Sequence, residues 1–128
     1  HPELELLHHC PNGGSRNKAE AVKLKQMGVK AGIPDLCLPV PMGMYNGLYI
    51  EMKYDTGRLE DSQKKMLKAL AAAGHYCTVC YGAEEAIRVL QEYINLKKID
   101  AGKREDTMSE QNLMIRKNGK VKCIIFKE

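Results

Sequence analysis

Gly32-Ile-Pro-Asp-Leu-Cys-Leu-Pro-Val40 and, after a loop, Leu48-Tyr-Ile-Glu-Met-Lys53 decide how this chain folds. Each is a short apolar run, and the segment between them, 39–47, is rich in Pro, Gly and Met. Two such runs joined by turn-forming residues read as an antiparallel hairpin. Centred on Gly43, the hairpin sets Leu36 opposite Ile50, Cys37 opposite Tyr49, Leu38 opposite Leu48 and Asp35 opposite Glu51. Side chains alternate across a strand. Leu36, Leu38, Leu48, Ile50 and Met52 therefore share an apolar face, and Asp35, Glu51 and Lys53 share the other.

Opposed residues lie about 5 Å apart at Cβ, so the two carboxylates repel unless a cation stands between them. Mg²⁺ suits such a place because it takes a few carboxylate or carbonyl oxygens and keeps several waters. Lys53 projects from the same face, where an ammonium orients an attacking water and steadies charge developing on a phosphate. Pro34 fixes φ just before Asp35 and stiffens its approach. A surface strand carrying an Asp-Lys-Glu ion-pair cluster fits these residues as well.

Outward from this core, Leu4 to Cys10 reads as a strand ending in the turn Pro11-Asn-Gly-Gly14. A helix capped by Ser15 or Asn17 runs to about Met27, with Gly28 as its stop. A second helix, from about Glu60 to Ala73, sets Leu59, Gln63, Met66, Leu67 and Leu70 on one face. Gln63 then points inward, within reach of a metal's water or of Lys53. Tyr76–Tyr81 is a strand, and Ala83–Leu96 a helix with Ala86, Ile87, Leu90, Tyr93 and Ile94 turned in. The order of elements implies an α/β domain with a mixed sheet flanked by helices. Lys97 to about Thr107 is a polar linker. Asn118-Gly119 between two apolar runs, Leu113–Lys117 and Lys120–Phe126, is a strong hairpin signal. The chain divides into a domain, 1–96, and a linker with a C-terminal β-hairpin appendage, 97–128. That ribbon is too small to fold alone and must pack on the domain or on another chain.

The 128 residues carry a net charge of +4, with 44% hydrophobic and 28% charged side chains. This is the balance of a globular protein and excludes disordered, collagen-like and membrane-spanning chains. Residues 1–96 hold equal numbers of acids and bases, so the whole excess lies in 97–128. A local basic strip also runs from Arg16 to Lys30. Five cysteines without a secretion signal read as reduced thiols of an intracellular protein. Cys77 and Cys80 form a CxxC, for which a redox or metal-thiolate role competes with burial in a strand. His8 and His9 point to opposite faces of their strand, one buried and one exposed.

Gly32-Ile-Pro-Asp35, Leu48-Tyr-Ile-Glu-Met-Lys53 and Leu59…Gln63 together resemble the PD-(D/E)XK nuclease superfamily. Pro11-Asn-Gly-Gly-Ser-Arg16, followed by Glu20-Ala…Leu24-Lys…Met27-Gly-Val, narrows the resemblance to the stand-alone, phage-like form of the VRR-NUC (virus-type replication-repair nuclease) domain, over roughly residues 4–94. The resemblance implies a restriction-endonuclease-like fold and Mg²⁺- or Mn²⁺-dependent phosphodiester hydrolysis in DNA. It makes Asp35, Glu51 and the backbone carbonyl of Met52 metal ligands, Lys53 the catalytic lysine and Gln63 a supporting residue. Arg16, Lys18 and Lys30 become DNA-binding residues that contact backbone rather than sequence. Small members resemble Holliday-junction resolvases, which implies a homodimer acting on branched DNA. The chain departs from the family in two places. The family's usual acid lies on a helix before the first strand, and this chain begins at His1, about where that helix would end, so the acid is either lost with a truncated N-terminus or replaced by another. A non-catalytic DNA-binding or assembly module on a nuclease scaffold is therefore the alternative. The other departure is Leu59-Glu60, which stands where Leu-Ser is common and alters a helix cap.

Overall fold

The computed structural model describes residues 1–11, 18–96 and 111–126. Six strands form one mixed sheet in the order β1-β2-β3-β4-β5-β6, so spatial and chain order coincide. The strands are β1 His8–His9, β2 Leu36–Leu38, β3 Leu48–Lys53, β4 Tyr76–Tyr81, β5 Gln111–Lys117 and β6 Lys120–Phe126; the helices are α1 Lys18–Gln26, α2 Asp61–Ala72 and α3 Ala83–Ile94. The first three strands are antiparallel neighbours, β3-β4 and β4-β5 are parallel, and β5-β6 is an antiparallel hairpin. The expected register holds for Leu36 with Ile50, Cys37 with Tyr49 and Leu38 with Leu48, while Asp35 precedes the paired residues of β2.

Parallel neighbours need a crossover, and here the two crossovers carry α2 and α3, which cover opposite faces of the sheet. Leu38, Leu48, Ile50 and Cys80 pack against Ala86, Val89 and Tyr93 of α3. Tyr93 is anchored as well as buried, its hydroxyl donating to the Val40 carbonyl at 2.6 Å. On the other face Leu67 and Ala71 of α2 cover Cys77, Val79 and Leu113. Cys77 and Cys80, three residues apart on a strand, thus face opposite cores. The two sulfurs cannot close on one zinc or form a disulfide with each other, which removes the shared thiolate site.

The ribbon packs on the domain: β5 joins β4 and continues the sheet, with Leu113 and Arg116 both buried. Arg116 is held by Glu92 at 2.6 Å and by the Tyr76 hydroxyl at 3.0 Å. Asn118 and Gly119 both adopt positive φ, 53° and 73°, as a tight hairpin turn between right-twisted strands requires.

Three local features differ from expectation. Residues Pro2–Leu6 form a 3-10 turn instead of a strand, with Pro2 at its start and Glu3 and Glu5 in its first turn, so the strand shrinks to His8–His9. Both histidines are exposed on β1, a two-residue strand at the edge of the sheet. Ile87 is 54% exposed, while Val89 and Glu85 take the buried positions of α3. A small rotation of the helix face is enough to do this. Separately, α1 buries no residue, and Val22 and Met27 stand out in solvent. The turn 12–17 with Arg16 and its helix cap, and the linker 97–110, lie outside the described residues. Among the described residues no helix is long and apolar enough to cross a membrane.

Candidate active site

The β2-β3 hairpin and the N-terminal turn of α2 together build one cluster. Asp35 stands just before β2, and its Oδ2 accepts the Met52 N–H at 2.8 Å, which ties it across the hairpin to the end of β3. Glu51 points to the α2 side and is 2% exposed. Lys53, on the same face, lies 3.8 Å from Glu51 Oε1 and donates to Gln63 Oε1 at 2.9 Å. The Gln63 amide in turn donates through Nε2 to Glu51 Oε1 at 3.2 Å. Gln63 therefore bridges the acid and the base.

Gln63 is fixed from its own helix as well. Its Oε1 also accepts the Glu60 N–H at 2.9 Å, while the Glu60 side chain accepts a backbone N–H from the first turn. This reciprocal pair is a capping box with Glu60 in the place of the usual Ser or Thr. The departure seen at Leu59-Glu60 thus leaves the cap in place. One side-chain oxygen serves both the helix start and the lysine.

The approach of α2 depends on Gly32. A Cβ there would fall 2.3 Å from the Ser62 carbonyl oxygen, and the residue has a φ of +81°. Only glycine lets the segment before Asp35 pass so close to the helix start that carries Gln63. Taken by itself, Gly32-Ile-Pro marks a break in the chain and does not reveal this contact. A Gly two residues before a Pro-acid pair is the signal that could have suggested it.

Charge in the cluster is under tension. Burial, with the Asp35 carboxylate second, pushes the Glu51 carboxyl up to about 7 even though Lys53 pulls the other way. Its Oε2 is buried and has no hydrogen-bond partner among the described residues. A buried, partnerless carboxylate oxygen beside a second carboxylate is what a bound cation would satisfy. The donor set is hard oxygen, which fits Mg²⁺ or Mn²⁺ better than a soft-ligand metal. Among the described residues no third His, Cys, Asp or Glu joins the pair, so a cation here would complete its shell with backbone oxygen and water.

Two further residues support the turn that follows Lys53. The Tyr81 hydroxyl donates to the Gly57 carbonyl at 2.6 Å, and Lys117 Nζ donates to the Asp55 carbonyl at 2.9 Å. Neither was among the residues singled out from sequence, because neither lies near the motif in the chain. Lys18 and Lys30 are exposed at either end of the α1 region, and neither takes part in the hydrogen bonds that join the four-residue cluster. Arg16 is outside the described residues.

An α/β domain whose sheet carries a paired-carboxylate and lysine cluster beside a helix-borne glutamine has a nuclease-type fold. A VRR-NUC domain model matches residues 2–84. A solved structure described as a VRR_NUC domain protein is 39% identical, with a TM-score of 0.65, over 75% of this chain and 73% of that one. The chain belongs to the VRR-NUC domain family, whose members are generally nucleases. No curated protein sequence matches it.

Proposed function

We propose that this chain is a metal-dependent deoxyribonuclease, an endonuclease that hydrolyses phosphodiester bonds in DNA and selects branched substrates such as Holliday junctions. The observation that carries the reading is the bridge from Lys53 through Gln63 to Glu51, set beside Asp35. Asp35, Glu51 and the Met52 carbonyl would hold Mg²⁺ or Mn²⁺. Such an ion would offset the carboxylate repulsion and act as a Lewis acid toward the scissile phosphate. Lys53, held by Gln63, donates to the attacking water or to a phosphate oxygen and stabilises negative charge growing there. Gln63 keeps that ammonium from collapsing onto Glu51, which lies 3.8 Å away. Arg16, Lys18 and Lys30 would meet the DNA backbone, giving affinity without sequence preference. A four-way junction has two-fold symmetry, so a homodimer carrying two such sites matches it.

The absence of a third acidic or histidine ligand among the described residues favours a second reading, a non-catalytic DNA-binding or assembly module. A panel of labelled duplex, flap and four-way-junction DNAs, incubated with Mg²⁺ or with chelator, separates the two. Metal-dependent cleavage is expected, with Asp35→Ala and Lys53→Ala each lowering the rate at least about a hundredfold while the fold is retained. Undiminished cleavage by either variant overturns the assignment. Binding without cleavage by the unaltered chain selects the second reading.

A further inference from the structure

The C-terminal ribbon lies beyond the residues that the family model matches, yet it belongs to the stretch that holds the chain's entire charge excess. The sheet register shows where its lysines point. In β5, Leu113 and Ile115 pack in the core beneath α2, so Lys117, two residues further, shares that face. Directly opposed residues on antiparallel strands also share a face. Lys117 is opposed by Lys120, and Ile115 by Lys122. All three lysines therefore stand on the side of the sheet that carries Glu51 and Lys53.

At the end of the sheet these residues form a row. Lys53 pairs with Tyr81 across the β3-β4 ladder. The ammonium of Lys117 lies 4.6 Å from the centroid of the Tyr81 ring. Lys117 then pairs with Lys120. At about 4.8 Å per strand, the row from Lys53 to Lys120 spans about 14 Å. This is about four base-pair steps of duplex. Lys117, Lys120 and Lys122 are exposed and line a shallow open groove with Ile115. None of the three makes an ion pair with a described acid.

We infer that Lys117, Lys120 and Lys122 form a nucleic-acid backbone clamp that extends the active-site face across the ribbon. It grips phosphates several steps from the scissile one, without sequence readout. Lysines on an edge strand also discourage pairing with other chains. That role alone would not require them to share the face of Lys53. Nor would it require Lys117 to hold the turn that follows Lys53.

The inference rests on the nuclease reading, and one experiment keeps the two apart. DNA binding by the full chain is measured in chelator by fluorescence anisotropy, between 50 and 200 mM salt, for the unaltered protein and for Lys120→Gln/Lys122→Gln. Each phosphate contact contributes about −0.9 to the slope of log K on log salt. Losing two contacts flattens the slope by about 1.8, so the unaltered protein should lose about 12-fold more affinity than the variant over that range. Lys120→Arg/Lys122→Arg should restore the slope. If the double variant melts early, Lys122→Gln alone should flatten the slope by about 0.9. Equal slopes in a protein that binds and cleaves DNA overturn the clamp alone. So does a variant whose oligomeric state changes while its slope does not. An unaltered protein that neither binds nor cleaves DNA overturns the nuclease reading first, and the clamp with it.

Discussion

Replacing Glu51 by Gln should stabilise the metal-free protein, and only at neutral and alkaline pH. Glu51 is 2% exposed and shares its site with Asp35, so its charged form is disfavoured and its pKa rises from 4.5 to about 7. The folded chain then holds this proton more tightly than the unfolded chain does. Stability attached to the group is fully present below the unfolded value, falls as pH rises through the window between the two values, and levels off above the folded one. A tenfold tighter hold on a proton is worth about 1.4 kcal/mol, so the folded protein forfeits on the order of 3 kcal/mol by pH 8. Glu51→Gln removes that titration. Urea and thermal melts in chelator should show the two proteins alike near pH 4.5. At pH 8 the variant should be ahead by on the order of 3 kcal/mol, or roughly 10 °C in Tm. Adding Mg²⁺ or Mn²⁺ at pH 8 should raise the Tm of the unaltered chain and leave the variant nearly unmoved, because only the former offers the buried carboxylate to a cation. A stability difference that does not change with pH would refute this reasoning, as would a variant that is weaker at pH 8.

Gly32→Ala should destabilise by more than about 2 kcal/mol and weaken cleavage, since the methyl group meets the Ser62 carbonyl and the backbone is left-handed; denaturant melts measure the first and a rate assay the second. Leu113→Ala should cost about 2–5 kcal/mol, because this ribbon residue is 2% exposed in the core beneath α2. A near-zero change in the melt would mean that the ribbon does not contribute to the domain. Burial pushes the thiols of Cys77 and Cys80 up to about 12 and about 11, whereas Cys123 is exposed. A thiol reagent at pH 8 should therefore modify Cys123 promptly, and Cys77 and Cys80 only after denaturation. Rapid labelling of either one in the folded protein would contradict their burial.

Much of the candidate site was legible in the chain because its parts are local. Asp35, Glu51 and Lys53 sit on one hairpin, and strand alternation plus a turn centred on Gly43 is enough to pair them. Gln63 was readable as inward-facing because helical spacing ties it to Leu67 and Leu70. The departures from the sequence pattern share a different cause. Ile87 looked like a core residue because an amphipathic helix admits neighbouring settings of its face, and the sheet chose the one that buries Val89. Alternation sets His8 and His9 in opposite environments, yet both are exposed on a two-residue edge strand. The span from Leu4 to Leu7 is apolar enough for a strand, but Pro2 and the acids after it start a helical turn instead.

Local periodicity, turn chemistry and charge thus determined the order of elements, the register of β2 with β3 and the identity of the clustered polar residues. These depend on contacts within one hairpin or one helix, which sequence spacing encodes directly. Which helix covers which face, the passage of Gly32 against Ser62, the bridging role of Gln63 and the placement of the C-terminal lysines on the sheet face of Lys53 were decided only by tertiary structure. Each joins residues distant in the chain through a shared sheet face. A face is settled when the whole set of apolar side chains finds the packing that excludes water, and no single segment carries that information.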